Sequence, residues 1–150
     1  RGEHQARQTE IRSDLIAWLE PEQAPAPLAA YLGHLESLRQ EANRALWLGL
    51  FDYEIHAALY PDGAHYGRHL DRFRDDDART LTAILYLNDD WTEADGGLLR
   101  FYPQGLEGPT VEVLPKRGTF VSFLSADYWH EVLPARRPRL ALTGWFRRRK

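Results

Sequence analysis

Cysteine is absent from these 150 residues, which excludes disulfide crosslinks and thiolate metal ligands. Any metal site must therefore be built from His, Asp and Glu. Methionine is absent as well, even at position 1, so the chain is expected to be a processed or trimmed product from which targeting signals can have been lost. No run of apolar residues approaches the ~20 needed to cross a bilayer. A cysteine-free chain without a membrane span fits a soluble protein of the reducing cytoplasm, the expected location. Charge of one sign is also missing: the net charge is −3, which gives no basic field to attract nucleic acid. The one dense basic cluster, Arg147-Arg148-Arg149-Lys150, reads as a solvated or frayed tail.

What is present is ordinary globular composition, 43% hydrophobic and 27% charged, at a length that suits a single domain over 1–150. Arg1 to Glu10 is polar and aperiodic, as a mobile arm would be. Ile11 to Leu19 is a short apolar segment, and Pro21, Pro25 and Pro27 then break regular structure. Leu28, Tyr31, Leu32, Leu35, Leu38, Ala42 and Leu46 recur at three- and four-residue steps and predict one amphipathic helix. From Asp52 onward the period changes to two, in short segments separated by Gly, Pro, Asp or Asn. Strands are predicted near 52–60, 66–71, 79–88, 97–102, 110–113, 118–124, 129–133 and 138–147. The fold is therefore expected to be mainly β (α+β), a jelly roll or barrel with a helical buttress. Asp75-Asp76-Asp77 reads as a solvated turn.

His69-Leu70-Asp71 falls in a predicted strand, where residues two apart share a face and can converge on one ion. By itself the pair is weak. His34-Leu35-Glu36 has the same spacing inside the helix, where it turns the two side chains to nearly opposite sides. His65 and His69 have the spacing of zinc ligands on a helix, but Pro61-Asp62-Gly63 argues for a turn and strand there. His130, in Tyr128-Trp129-His130-Glu131-Val132, is the better third ligand, because a distant strand of a jelly roll can return beside the first. Two imidazoles and one carboxylate leave coordination positions open, the arrangement suited to non-haem Fe(II) and oxygen activation. The alternative is that His69 and His130 are half-buried histidines bonded to nearby carbonyls.

Arg139 opens the last predicted strand, and period two places Arg139, Ala141, Thr143 and Trp145 on one face. A buried arginine needs an anion, and its planar fork can take a carboxylate through two hydrogen bonds. Tyr86 is the phenol best placed to add another. The alternatives stay open: Tyr86 as a core tyrosine bonded to backbone, and Arg139 paired internally with Glu131 or Asp127.

These residues carry a resemblance. Tyr60-Pro61-Asp62-Gly63, Tyr66-Gly67-Arg68-His69-Leu70-Asp71, Tyr86-Leu87-Asn88-Asp89-Asp90-Trp91, Gly96-Gly97-Leu98-Leu99-Arg100, His130-Glu131-Val132 and Arg139 through Trp145 resemble the 2-oxoglutarate- and Fe(II)-dependent prolyl hydroxylases of the hypoxia-sensing type and their bacterial relatives. The match runs from about Ile11 to Phe146. It implies a double-stranded β-helix, that is a jelly roll, with iron on His69, Asp71 and His130. It further implies that Arg139 and Tyr86 hold the distal carboxylate of 2-oxoglutarate, that Thr143 lines the same pocket, and that Tyr60 and Trp145 flank it. Arg79 matches an arginine near the target peptide, and residues 1–14 resemble a mobile loop that closes over the site as a lid.

The implied activity is hydroxylation of a prolyl residue in a protein, consuming O2 and 2-oxoglutarate and releasing succinate and CO2, with ascorbate as an accessory reductant. For the bacterial branch the leading protein substrate is elongation factor Tu; neither nucleic acid nor membrane is an expected partner, and the oligomeric state is left open. Two departures stand out: the loop Arg72 to Ala78 is basic then acidic, and Trp129 replaces a proline. Rival readings keep the iron chemistry on a free amino acid or other small molecule, or make the chain a non-catalytic jelly-roll module that binds a metal or sugar.

Overall fold

The computed structural model describes residues 13–72 and 78–149. The arm expected over 1–14 and the Asp75-Asp76-Asp77 turn fall almost wholly outside these residues. Among the described residues there are nine strands: β1 (Leu15–Trp18), β2 (Leu50–Tyr60), β3 (Tyr66–His69), β4 (Arg79–Tyr86), β5 (Leu99–Tyr102), β6 (Val111–Val113), β7 (Phe120–Leu124), β8 (Trp129–Val132) and β9 (Arg139–Arg148). One α-helix, α1 (Ala26–Leu46), accompanies them. The strands form a major antiparallel sheet in the order β1-β2-β9-β4-β7 and a minor sheet in the order β3-β8-β5-β6, the jelly roll expected from the alternating pattern. No helix among the described residues is long and apolar enough to cross a membrane.

The prolines do not break structure as expected; they start it. Pro21 opens a single 3-10 turn, Pro25 caps α1 and Pro27 lies in its first turn, where a missing N–H leaves no bond unmade. At the other end Trp47 takes a left-handed conformation, φ 55°. Asn43 then clamps the turn into β2, donating from Nδ2 to the Leu50 carbonyl at 2.8 Å while Oδ1 accepts from the Leu50 N–H at 2.7 Å. Leu32, Leu35 and Ala42 pack with Leu50, Ile55, Leu81, Ala83 and Phe146 into one apolar cluster, so α1 covers the outer face of the major sheet. Leu46, read as part of the buried stripe, is exposed.

The opposite face of the same strands looks toward the minor sheet, where Ala58, Tyr60, Ile84, Tyr86, Leu99, Phe101, Val132 and Ala141 form a second cluster. One reading gains detail and one needs correction. The segment around Leu15–Trp18 is a strand, paired with β2 from Leu15↔Leu59 to Trp18↔His56. Arg147 is no frayed tail: it lies near the end of β9 and makes a two-bond pair to Asp52, at 2.9 and 2.7 Å, because β2 and β9 run side by side as far as Leu50↔Arg148. Arg149 lies 4.1 Å over the Phe51 ring.

Candidate active site

His69 and His130 face each other across β3 and β8 through an irregularity. From Tyr66↔Val132 to His69↔His130 the pairing advances three residues along β3 but only two along β8, so β3 carries one extra residue. A bulge of this kind re-aims the side chains beyond it. Without it Arg68 would oppose His130; with it His69 does, and Tyr66 stacks on the His69 ring at 3.7 Å. Asp71 lies past the end of β3 in a bend rather than in the expected strand. Its convergence with His69 therefore comes from the bend and not from strand alternation.

The three side chains offer ligand atoms that all lie within 4.8 Å of one another. Asp71 Oδ1 is 3.4 Å from His69 Nε2 and 3.4 Å from His130 Nε2. Each imidazole has its other nitrogen on a carbonyl, His69 Nδ1 on Gly67 at 2.6 Å and His130 Nδ1 on Tyr128 at 2.9 Å. A carbonyl only accepts, so both Nδ1 atoms carry the proton and both Nε2 lone pairs face the centre of the group, as metal-binding imidazoles are held. The histidines do bond to carbonyls, as the alternative reading had it, but in the manner that frees them as ligands.

Burial alone would push the Asp71 carboxyl up, but hydrogen bonding and charge from His130 and His69 hold it well below the usual carboxylate range. For His130, burial works against the charged form. Asp71 and the Tyr128 carbonyl outweigh it and raise its pKa above the ordinary histidine value.

Arg139 is 2% exposed, with its guanidinium between the Tyr60 and Tyr86 rings at 5.0 and 4.9 Å. Its Nε donates to the Gly97 carbonyl at 2.8 Å. Gly97 has φ +66°, and a Cβ there would stand 3.0 Å from Arg139 Cδ, so only glycine brings this carbonyl so close without strain. No carboxylate among the described residues pairs with Arg139. Glu131, the expected internal partner, is engaged by Tyr102 and Arg100 on the minor sheet. Arg139 Nη2 and the Tyr86 hydroxyl are both buried without a hydrogen-bond partner. Burial pushes the Tyr86 phenol up against the opposing pull of Arg139, so it remains a donor.

One cavity of about 240 Å3 joins these features and is lined by His69, Asp71, His130, Arg139, Tyr86, Thr143, Tyr60, Trp145 and Arg79. All nine residues singled out from the sequence thus meet in one place. Thr143 stands opposite His56 in the β2–β9 ladder, and Tyr60 opposite Arg139. Arg79 donates to Glu54 at 2.8 Å and lies 3.8 Å over the Trp145 ring.

Residues 55–147 match the sequence profile of the 2OG-Fe(II) oxygenase superfamily. The chain belongs to that superfamily. Membership brings Fe(II) as cofactor and 2-oxoglutarate and O2 as co-substrates, and a His-Asp-His group able to hold a metal ion is present. Among relatives, Egl nine homolog 1 of Homo sapiens is 34% identical over 146 residues, covering 91% of this chain and 33% of that protein. The hypoxia-inducible factor prolyl hydroxylase of Caenorhabditis elegans is 33% identical, covering 91% and 20%. The chain thus spans less than half the length of these curated relatives.

Among solved structures of this superfamily fold, a Pseudomonas putida prolyl-4-hydroxylase superposes with a TM-score of 0.87 at 50% identity, covering 99% of this chain and 83% of that one. A Trichoplax adhaerens prolyl hydroxylase, in complex with a hypoxia inducible factor peptide fragment, superposes at 0.78 with 28% identity, covering 96% and 74%.

Sequence reasoning missed several residues of this 2OG-Fe(II) oxygenase site. His56 and Leu99 line the cavity; His56 could have been found by its two-residue spacing from Ala58 and Tyr60 on β2. Thr82 and Ser125, which bond around Asp71, carried no signal beyond being small polar residues, one in an apolar strand and one in the turn after β7.

Proposed function

We propose that this chain hydroxylates a prolyl residue in a protein substrate, with Fe(II) on His69, Asp71 and His130 and 2-oxoglutarate on Arg139 and Tyr86. The observation that carries the reading is the pair of orphaned atoms, Arg139 Nη2 and the Tyr86 hydroxyl, buried in the same cavity as the His-Asp-His group. A buried guanidinium with an open donor is costly unless an anion completes it, and a dicarboxylate long enough to reach the metal does so. Bound Fe(II) and 2-oxoglutarate supply the oxidation, in which O2 and the co-substrate become the new hydroxyl group, succinate and CO2; ascorbate serves only to keep the iron reduced.

The chain's own part is placement and exclusion of water. Arg139, fixed by the Gly97 carbonyl and two tyrosine rings, sets where the distal carboxylate lies, and Thr143 and Trp145 close the wall beside it. His69 and His130 present neutral Nε2 atoms because their Nδ1 protons are bonded to carbonyls. Arg79, over the Trp145 ring and bonded to Glu54, is assigned to the substrate side on the resemblance alone. The apolar rim of β1, where Ile16 and Trp18 line the cavity while remaining about half exposed, favours a polypeptide over a free amino acid. Elongation factor Tu is the first protein to test, an expectation carried by the resemblance alone.

The test is anaerobic loading with Fe(II) and 2-oxoglutarate, followed by succinate measurement in air with and without proline-containing proteins. Succinate formation stimulated by such a protein, with hydroxyproline in it, is the expected result. Stimulation by free amino acids alone would replace the protein substrate with a small molecule.

A further inference from the structure

The two oxygens of Asp71 are treated differently. Oδ1 faces both imidazoles at 3.4 Å, whereas Oδ2 accepts a hydrogen bond from Thr82 Oγ1 at 2.8 Å. Thr82 Oγ1 is in turn 2.8 Å from Ser125 Oγ. Either hydroxyl of that pair could donate in principle, but the chain of contacts leaves one direction. An ionised carboxylate only accepts, so the single Thr82 O–H points to Asp71, and Ser125 must be the donor to Thr82. Both residues are 0% exposed, so water does not compete for these bonds, and a buried hydroxyl left unmade would be costly.

The backbone fixes the far end of the relay. The Ser125 N–H donates to the Thr80 carbonyl at 3.0 Å, and the Ser125 carbonyl accepts from the N–H of Arg72, the residue after Asp71, at 3.3 Å. Ser125 thus grips the bend that carries Asp71 from two sides, through its own backbone and through the Thr82 hydroxyl.

We propose that Ser125 and Thr82 form a directional hydroxyl relay that locks Asp71 as a one-oxygen ligand, with Oδ2 held away from the metal and Oδ1 offered to it. Neither hydroxyl touches the metal; both are positioning residues. Their effect is to keep the carboxylate from swinging to present both oxygens, which would occupy a coordination position that 2-oxoglutarate or O2 needs. The proposal rests on the reading of Asp71 as a metal ligand.

The test is Co(II) titration of the metal-free chain, followed by visible absorption as well as affinity. Thr82→Val keeps the shape and removes the donor; it is expected to weaken Co(II) binding by about 10- to 100-fold, the range for an outer partner of a metal ligand, and to change the Co(II) band intensities. Thr82→Ser restores the donor and is expected within about twofold of wild type with an unchanged spectrum. Ser125→Ala, which leaves the Thr82 bond to Asp71 in place, is expected to weaken binding about threefold and to add nothing in a Thr82→Val background, since the two act in series.

Wild-type affinity in Thr82→Val, or effects of the two substitutions that multiply, overturns the relay. Should Thr82→Val not fold, Ser125→Ala decides, and wild-type affinity there is equally fatal. Asp71→Ala separates the two readings. Unchanged Co(II) binding in it removes the metal assignment and the relay together, whereas loss of binding in it beside wild-type binding in Thr82→Val removes the relay alone.

Discussion

The two faces of the major sheet are made by the same strands and have opposite characters. On β2, β4 and β9, Ile55, Leu81, Ala83 and Phe146 point outward to α1 and form an apolar cluster. One residue along, His56, Thr82, Tyr86, Arg139, Thr143 and Trp145 point inward, into or beside the cavity. Strand alternation alone separates them. The outer face gains stability by burying apolar surface; the inner face holds a guanidinium and a phenol with unmade hydrogen bonds, and looks across the cavity at His69 and His130 of the minor sheet and at Asp71 in its bend. Stability and chemistry are thus divided between faces, and substitutions can be aimed at one without the other.

The largest effect expected from that division is on the cavity side. Asp71→Ala should lower succinate formation by more than about 100-fold, a loss that even an outer partner of a metal ligand can cause, while the apolar cluster under α1 stays intact. Succinate yield and cooperative unfolding, measured on one preparation, check both halves. The outer face answers in the other currency: Phe146→Ala, at a position 0% exposed, should cost about 3–5 kcal/mol of unfolding free energy. Denaturant titration reads it, and protein that remains folded should still bind metal.

A third effect is a pH dependence confined to the cavity. His130 has a raised pKa in the metal-free chain, so in that form its contribution to stability is present below the ordinary histidine range and is lost as pH rises through the raised value. Metal requires the neutral imidazole. Apparent metal affinity should therefore fall as pH drops below that raised value and level off above it, with metal titrations across the neutral range as the check. Asp71, held low, does not add to the change in that window.

The smallest effect belongs to the solvent side of α1. Glu36 titrates at about 2 because Arg39 and then Gln40 donate to it, so its contribution is present above the ordinary carboxylate range and is lost as pH falls toward 2. The pair is only partly buried and still reached by water, so Glu36→Gln should cost only a few tenths of a kcal/mol at neutral pH by denaturant unfolding.

The face division was legible wherever alternation was uninterrupted. Period two along β9 placed Arg139, Ala141, Thr143 and Trp145 together, and the cavity does contain all four. Alternation misled where the backbone departs from it. The extra residue in β3 puts Tyr66 and His69 on one side although they are three apart, and Asp71 reaches the group from a bend. No count of residues reveals a bulge, because the insertion is defined only against the partner strand. Thr82 and Ser125 were missed for a related reason: their meaning lies in a bond between a strand residue and a turn residue 43 positions apart. The same holds for Arg147, whose partner Asp52 is 95 residues away.

Anaerobic 2-oxoglutarate titration of the Fe(II)-loaded chain, wild type beside Arg139→Ala, tests the central claim most directly. Loss of a two-bond charge-assisted contact should weaken binding on the order of 100-fold, with Fe(II) affinity unchanged. Equal 2-oxoglutarate affinity in the two proteins would contradict the account and place the anion site elsewhere.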